Sequence, residues 1–164
     1  MSESYLSRLY YASSATDTYT PMELGGILES CRHNNPPLDV TGVLFLGNGY
    51  FFQCLEGPRK NVNQIYNHIL EDPRHTEVEL LEFKEVGDRL FEEWSMKYVR
   101  CSTVVDKILR QTGVRSFNPH ELDSYTVNIL AEAFSSQSNS ENTAATEEHG
   151  SIKKKKHHLF GFFR

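Results

Sequence analysis

Residues 40–56, VTGVLFLGNGYFFQCLE, decide the fold of this chain. They contain two apolar runs, residues 40–46 and residues 50–56, on either side of Gly47-Asn48-Gly49. The glycines supply the positive φ angles that a tight turn requires, so the pattern is typical of a β-hairpin. We therefore predict two adjacent antiparallel strands here, with the other elements before and after them.

Three more strands and two helices are predicted around the hairpin. The strands lie at residues 5–13, 78–86 and 94–101, which are rich in apolar and aromatic side chains. The helices occupy the two stretches between strands that show apolar residues at i, i+3 and i+4. The resulting order is β-α-β-β-α-β-β. It favours an α+β fold of the ferredoxin-like kind, with both helices on one face of a mostly antiparallel sheet.

Proline and capping residues set the predicted helix ends. The first helix follows a capping box made by Thr20 and Glu23, and it ends at Pro36 because proline cannot continue a helix. The second helix begins at Pro58 and ends at Pro73. Both helices are therefore about four turns long or shorter.

Two further helices are predicted after the sheet. The first covers residues 104–112, and the second starts at Asn118-Pro119. The apolar stripe of the second helix is predicted to consist of Leu122, Tyr125, Ile129 and Ala133. We expect both helices to pack on the open face of the sheet.

The composition changes after residue 134. Residues 135–151 are mostly Ser, Asn, Thr, Glu and Gln, which cannot bury enough apolar surface to order a segment. The chain therefore divides into a predicted sheet domain at residues 1–101, a helical extension at 102–134 and a disordered tail at 135–164. Basic residues 153–156 and the aromatic end of this tail are compatible with weak membrane contact, with docking to a partner protein, or with no role.

Composition also restricts the function classes. The chain has 164 residues and a formal net charge of −5, which disfavours a general nucleic-acid binder. Its three cysteines lack the spacing of a zinc site, and the sequence contains neither a signal-peptide pattern nor an apolar run of membrane length. We therefore expect a cytoplasmic protein with reduced thiols and no metal site.

The sequence lacks the motifs of the common enzyme classes. GxxxxGK[ST], GxSxG, HExxH and GxGxxG do not occur. Glu92 and Glu93 are adjacent, and adjacent side chains on a strand or loop point apart, so they favour a solvated acidic edge over an acid–base pair. We expect no enzymatic activity.

Two polar residues inside the predicted strands are candidates for a binding site. Side chains alternate between the faces of a strand, so Tyr11 shares a face with Leu9 and Ser13, and Gln53 shares one with its apolar neighbours. A buried amide without partners costs about 1–3 kcal/mol. Gln53 therefore either bonds a backbone group, lies on an exposed face, or bonds Tyr11 and the polar edge of a ligand.

The helices offer walls for such a ligand. A flat ring between Ile27 and Ile69, with its polar edges met by Asn35 and Gln53, is compatible with the spacing. Both isoleucines are equally compatible with an ordinary apolar core, and periodicity alone favours that interpretation.

The sequence around these residues resembles the BLUF family, the sensors of blue light using flavin. Six segments carry the resemblance, in the family's order and spacing over about residues 5 to 100. They are RLYYAS at 8–13, ILES at 27–30, NN at 34–35 followed by TG at 41–42, FFQCLEG at 51–57, DPRH at 72–75 and WSM at 94–96. FFQCLEG and WSM are the most specific of them.

The resemblance implies a role for each matching residue. Tyr11 would donate an electron and a proton to the excited flavin, and the Gln53 amide would then rearrange. Trp94 and Met96 on the last strand would compete for the space near Gln53 and carry the change outward. The remaining residues implied to contact the cofactor are Ser13, Ile27, Asn34, Asn35, His68, Ile69, Arg74 and His75.

The resemblance also implies the cofactor and the type of output. FAD is the expected cofactor, and a pocket that grips mainly the ring would also accept FMN or riboflavin. The short members of the family signal by contact with another protein, so a downstream signalling protein is expected, and a homo-oligomer fits as well. The adduct chemistry of cysteine photoreceptors does not fit, because alternation puts Cys54 on the face opposite Gln53.

Two other functions remain open from the sequence. A small flavin-dependent reductase would need a substrate site beside the flavin. A light-insensitive ferredoxin-like adaptor would keep the fold and bind partners through its tail. A reversible spectral shift in blue light distinguishes the photoreceptor from both.

Overall fold

The computed structural model describes residues 5–100 and 102–137. The strands and helices follow the predicted order, including the helical pair at the end. The strands are β1 (Leu6–Ala15), β2 (Thr41–Gly47), β3 (Tyr50–Pro58), β4 (His75–Glu85) and β5 (Lys97–Val99). The helices are α1 (Pro21–Asn34), α2 (Arg59–Glu71), α3 (Ser102–Thr112) and α4 (Ser124–Ser136), with short 3-10 turns at Pro36–Leu38 and Pro119–Glu121.

The five strands form one sheet in the order β4-β1-β3-β2-β5. The β1–β3, β1–β4 and β2–β3 pairs are antiparallel, whereas β5 runs parallel to β2. The first four strands have the ferredoxin-like order, with α1 and α2 as crossover connections, so the predicted α+β fold is confirmed.

The hairpin turn between β2 and β3 is confirmed, with one correction. Asn48 and Gly49 adopt positive φ angles of 52° and 78°. Gly47, which the sequence suggested as a turn glycine, is instead the last residue of β2. A two-residue turn with both φ angles positive matches the twist of the flanking strands.

The sheet separates two apolar cores. Leu9, Tyr11 and Leu55 face α1 and α2, whereas Tyr10 and Phe52 face α3 and α4. The C-terminal helices therefore cover the open face, as predicted. Cys54 lies in the second core, on the face away from Gln53, as alternation predicted.

The predicted apolar stripe of α4 is wrong at Tyr125, whereas Leu122 is buried in the core and Ile129 and Ala133 pack against it. Asn118 caps only a 3-10 turn, accepting from His120 N at 3.1 Å, and α4 begins five residues later with Asp123 as its cap. This shift rotates the buried face, and Tyr125 is 68% exposed. The side chains buried on α4 are Thr126, Val127, Leu130, Ala131 and Phe134.

The last strand is shorter than predicted, and a buried carboxylate holds the start of the connection that leads to it. Glu56 is fully buried and accepts from Leu90 N and Phe91 N at 2.8–3.0 Å, and Arg8 pairs with it at 2.9 Å. These backbone N–H groups are therefore satisfied without a strand partner. Residues 94–96 belong to this connection, and β5 contains only three residues.

None of the helices in the described part of the chain combines the length and apolar character that a membrane span requires. The predicted tail at residues 135–164 lies almost entirely outside the described residues, as do both of its basic and aromatic segments.

Candidate functional site

A tyrosine–glutamine pair lies at the centre of the sheet face that α1 and α2 cover. Tyr11 and Gln53 are direct partners in the β1–β3 register, and both are almost fully buried. The Tyr11 hydroxyl donates a hydrogen bond to Gln53 Oε1. The two other interpretations of Gln53, a backbone bond or an exposed face, are therefore wrong.

Burial raises the pKa of Tyr11 well above its usual value. The hydroxyl consequently keeps its proton at any physiological pH and remains the donor to Gln53. His75, whose ring lies 6.3 Å from that of Tyr11, has its pKa lowered by burial. Its Nδ1 lies 3.0 Å from Ser13 Oγ, so a neutral imidazole completes this polar cluster.

The amide nitrogen of Gln53 faces sulfur. Its Nε2 lies 3.4 Å from Met96 Sδ and 4.0 Å from Cys31 Sγ. Thioether and thiol sulfurs are weak acceptors compared with oxygen. The amide is therefore held firmly at its oxygen and loosely at its nitrogen.

These groups border a cavity of about 150 Å³ between α1 and α2. Three isoleucines, Ile27, Ile65 and Ile69, supply apolar walls, and amide, imidazole and charged groups lie at its edges. The polar and sulfur-containing lining residues are Ser30, Cys31, Asn34, Asn35, Gln53, His68, Asp72, Arg74 and His75. An apolar slot with a few convergent polar groups is the usual form of a site for a small aromatic ligand.

Asn35 links the cavity to the connection before β5. Its side chain is almost fully buried, and its Nδ2 donates to Ser95 O at 2.8 Å. Asn34, the neighbouring amide, is exposed. The two asparagines therefore differ sharply in environment although they are adjacent in sequence.

Arg74 and Asp72 form a tight pair at the cavity edge. Their closest N–O distance is 2.6 Å, and Asp72 also accepts from Arg74 N. Burial raises the pKa of Asp72, but its bonds to Arg74 outweigh that effect and lower the pKa overall. Arg74 is thus fixed with its guanidinium beside α1, near Gly26.

Most of the residues predicted to contact a cofactor meet at this cavity. Tyr11 and Ser13 are exceptions, because they do not line the cavity themselves. The Tyr11 hydroxyl is hydrogen-bonded to Gln53 and Ser13 Oγ to His75, and both of these partners line it. The predicted residues that line the cavity are Ile27, Asn34, Asn35, Gln53, His68, Ile69, Arg74 and His75.

Four lining residues were not predicted as site residues. Ser30 and Cys31 follow Ile27 by three and four positions on α1, Ile65 precedes Ile69 by four on α2, and Asp72 follows Ile69 by three just after that helix. Helical periodicity puts each on the same face as a predicted residue. The signal was therefore present in the sequence, and extending each helix face by one turn would have found them.

Met96 and Trp94 occupy different environments. Met96 is buried beside Gln53, whereas the ring of Trp94 lies 5.9 Å from Lys97 Nζ. Lys97 in turn donates to the carbonyl oxygens of Phe134 and Gln137 at the end of α4. The prediction that both residues lie on the last strand is wrong, because β5 starts at Lys97.

A second, wider depression of about 460 Å³ lies elsewhere in the described part of the chain. Glu77, Glu79 and His120 line it together with Tyr50, Val78 and Asn118, and His120 Nδ1 lies 2.8 Å from Glu79 Oε2. Because Glu77 and Glu79 are carboxylates and Val78 is the one aliphatic side chain of this lining, the depression is poorly suited to bind an aromatic ring. The cavity between α1 and α2 is the better candidate.

Comparison with known proteins identifies the family of this chain. The family model described as sensors of blue light using FAD matches residues 6–97. Photoactivated adenylate cyclase subunit beta of Euglena longa is 35% identical over 95 residues, which are 57% of this chain and 11% of that protein. The blue light- and temperature-regulated antirepressor BluF of Escherichia coli (strain K12) is 36% identical over 95 residues, 53% of this chain and 24% of that protein.

Solved structures give the same result over a larger part of the chain. The structure described as BlsA in its photo-activated state has a TM-score of 0.77 and 29% identity, and it covers 81% of this chain and 96% of that one. This chain therefore spans nearly all of that solved relative, although it spans only about a tenth to a quarter of the two curated relatives. The family match covers more than half of its residues and includes the tyrosine–glutamine pair and both cavity-lining helices. This chain belongs to the BLUF family, the flavin-binding sensors of blue light.

Proposed function

We propose that this protein is a light sensor in which a flavin binds in the cavity between α1 and α2 and controls the hydrogen bonds of Gln53. One observation carries the proposal: Tyr11 and Gln53 form a buried hydrogen bond at the wall of that cavity. A buried donor and a reorientable amide beside a ligand cavity are the parts that a light-driven switch needs. We propose FAD as the resident flavin, since the family description names it.

The lining residues fit an isoalloxazine ring. Ile27 from α1 and Ile69 from α2 offer apolar surfaces for the two faces of a flat ring. Asn35 and Gln53 offer amide groups that suit its polar edge. Arg74 and His68 lie at the cavity border, where a polar side chain of the cofactor would leave it.

When bound, a flavin supplies absorption of blue light and, once excited, an affinity for one electron. Tyr11 is placed to respond: it would give one electron to the bound flavin and its hydroxyl proton to Gln53 Oε1, which already accepts that hydrogen bond, and both would return to Tyr11 as the dark state reforms. The amide of Gln53 then exchanges its donor and acceptor. On the nitrogen side, this exchange gives up only weak sulfur contacts of Nε2.

The contacts of Met96 and Lys97 suggest how a rearrangement at Gln53 reaches the C-terminal helices. Met96 contacts Gln53, and the next residue, Lys97, bonds the end of α4. We propose that residues 1–101 sense light and that residues 102–134 bind a partner protein or a second copy of the chain. We also propose that the protein works in the cytoplasm without enzymatic activity of its own. A shift in population between two conformations requires only that the two orientations of the Gln53 amide favour different packings of β5 and the C-terminal helices.

The spectral response tests this function. Protein purified with flavin is expected to be yellow, to show a small red shift of its absorption in blue light and to return in darkness. The shift follows from stronger hydrogen bonding to the ring after the exchange at Gln53. Permanent bleaching to a reduced flavin would favour a reductase, and an unchanged spectrum would favour a light-insensitive adaptor.

Replacing Asn35 by alanine is expected to weaken flavin binding by about 1–3 kcal/mol, because a buried amide partner of the ring edge is lost. Each 1.4 kcal/mol corresponds to about tenfold in Kd, which titration of the apoprotein with flavin measures. Asn34→Ala is the matched variant, and its exposed side chain predicts a smaller loss. The reverse ranking would move the contact to Asn34.

A further inference from the structure

Cys31 lies at the amide-nitrogen side of Gln53 and can act as both donor and acceptor of a hydrogen bond. Its Sγ lies 4.0 Å from Gln53 Nε2, and the other sulfur there, Met96 Sδ, lies 3.4 Å from the same atom. A thioether can only accept, whereas a thiol can accept through sulfur or donate its S–H. The two sulfurs are therefore not equivalent partners for a reorienting amide.

The protonation state of Cys31 allows both roles. Burial raises the pKa of the thiol to about 11, although the contact with Gln53 and the nearby Arg74 guanidinium lower it. At neutral pH the sulfur therefore carries its proton. The thiol is also poorly nucleophilic for the same reason, so its role at this site is hydrogen bonding rather than adduct formation.

Rotation of the Gln53 amide by a half-turn exchanges the amide atom that faces the two sulfurs. In the orientation described, Nε2 faces both sulfurs and Oε1 faces Tyr11. After a half-turn about the terminal side-chain bond, Oε1 faces the sulfurs. Met96 then offers this oxygen no donor, and a buried amide oxygen without a donor is destabilised. Cys31 can supply the missing donor.

We propose that Cys31 is a positioning residue for the light switch, whose sulfur accepts from Gln53 Nε2 in one orientation of the amide and whose S–H donates to Gln53 Oε1 in the other. The inference rests on the proposed function, since it assigns a partner to the exchange at Gln53. Cys31 sets the relative stability of the two orientations and hence the lifetime of the light-adapted state.

Dark recovery after illumination tests this role. Cys31→Ala removes the donor from the turned amide, so recovery is expected to be about two- to tenfold faster, the range that one net hydrogen bond gives. Cys31→Ser keeps a group that can donate and accept, and it is expected to recover no faster than the unmodified protein. Cys54→Ala is the matched control, because Cys54 is buried in the core on the opposite face of the sheet.

The S–H stretching band provides a readout that a purely structural role would not move. It lies in a region of the infrared spectrum that is free of other protein bands. In the light-minus-dark spectrum the band is expected to shift to lower frequency as the thiol becomes a donor, to be lost in Cys31→Ala and to persist in Cys54→Ala.

The two proposals fail in different ways. A normal reversible red shift with an unchanged S–H band and unaltered recovery in Cys31→Ala would overturn the role of Cys31 and leave the photoreceptor intact. Absence of any red shift in the unmodified, flavin-loaded protein would overturn the proposed function, and the role of Cys31 with it. If Cys31→Ala does not fold, the band shift in the unmodified protein and the Cys31→Ser recovery rate decide the question.

Discussion

Gln53→Leu is expected to abolish the reversible red shift while the protein stays yellow. Leucine has nearly the volume of glutamine, so the wall of the cavity is preserved, but it offers neither a donor nor an acceptor to exchange. The Tyr11 hydroxyl also loses its buried acceptor, which is expected to lower the free energy of unfolding by about 1–3 kcal/mol.

Absorption spectra before and after blue light measure this effect, and thermal unfolding checks stability. Gln64→Leu makes the same chemical change at an exposed position of α2 and is expected to leave the shift intact. A normal red shift in Gln53→Leu would show that another residue responds to the excited flavin.

Tyr11→Phe is expected to remove the light response to a similar extent, for a different reason. Phenylalanine keeps the ring in the helix-side core but lacks the hydroxyl that donates to Gln53 Oε1. Without that proton and the tyrosine electron, the exchange at Gln53 has no trigger. Excited flavin is then expected to decay by fluorescence, so the fluorescence yield should rise as the shift is lost.

The chain provides a close control for this variant. Tyr10 is the adjacent residue, is equally buried and lies in the core on the other face of the sheet. Its hydroxyl is 3.4 Å from Asn128 Oδ1 and has no contact with Gln53. Tyr10→Phe is therefore expected to keep the full red shift. Equal behaviour of the two variants would mean that the hydroxyl of Tyr11 is not special.

Simple periodicities predicted the parts of this fold that local sequence controls. Alternation along the strands brought Tyr11 and Gln53 to the same face, and the register of β1 with β3 makes them direct partners. Proline and glycine positions gave the hairpin and the ends of the first two helices. The order of the elements then favoured the ferredoxin-like arrangement of the first four strands.

Tertiary contacts decided the parts that were mispredicted. Glu56 reads as the end of a strand, yet its buried carboxylate binds the backbone of Leu90 and Phe91 in the connection that leads to β5. The start of α4 depends on Asp123, whose Oδ1 accepts from Thr126 N at 2.8 Å, rather than on Asn118 with its proline. Two competing caps of similar strength cannot be ranked from sequence alone.

The candidate site was predicted partly from residues and partly from resemblance. Periodicity alone favoured ordinary core for Ile27 and Ile69, and only the resemblance assigned them to a ligand. Cys31 was not predicted as a site residue, because its closeness to Gln53 depends on how α1 crosses β3. Contacts between elements distant in sequence are the information that a single sequence does not contain.

The infrared spectrum of the glutamine side chain tests the central claim most directly. Protein labelled with isotopes in its glutamine amides would be compared in light and darkness, and Gln53→Leu would assign the Gln53 band. The account predicts that the Gln53 amide band shifts on illumination and returns with the same rate as the absorption spectrum. A reversible red shift of the flavin with an unchanged Gln53 band would contradict it.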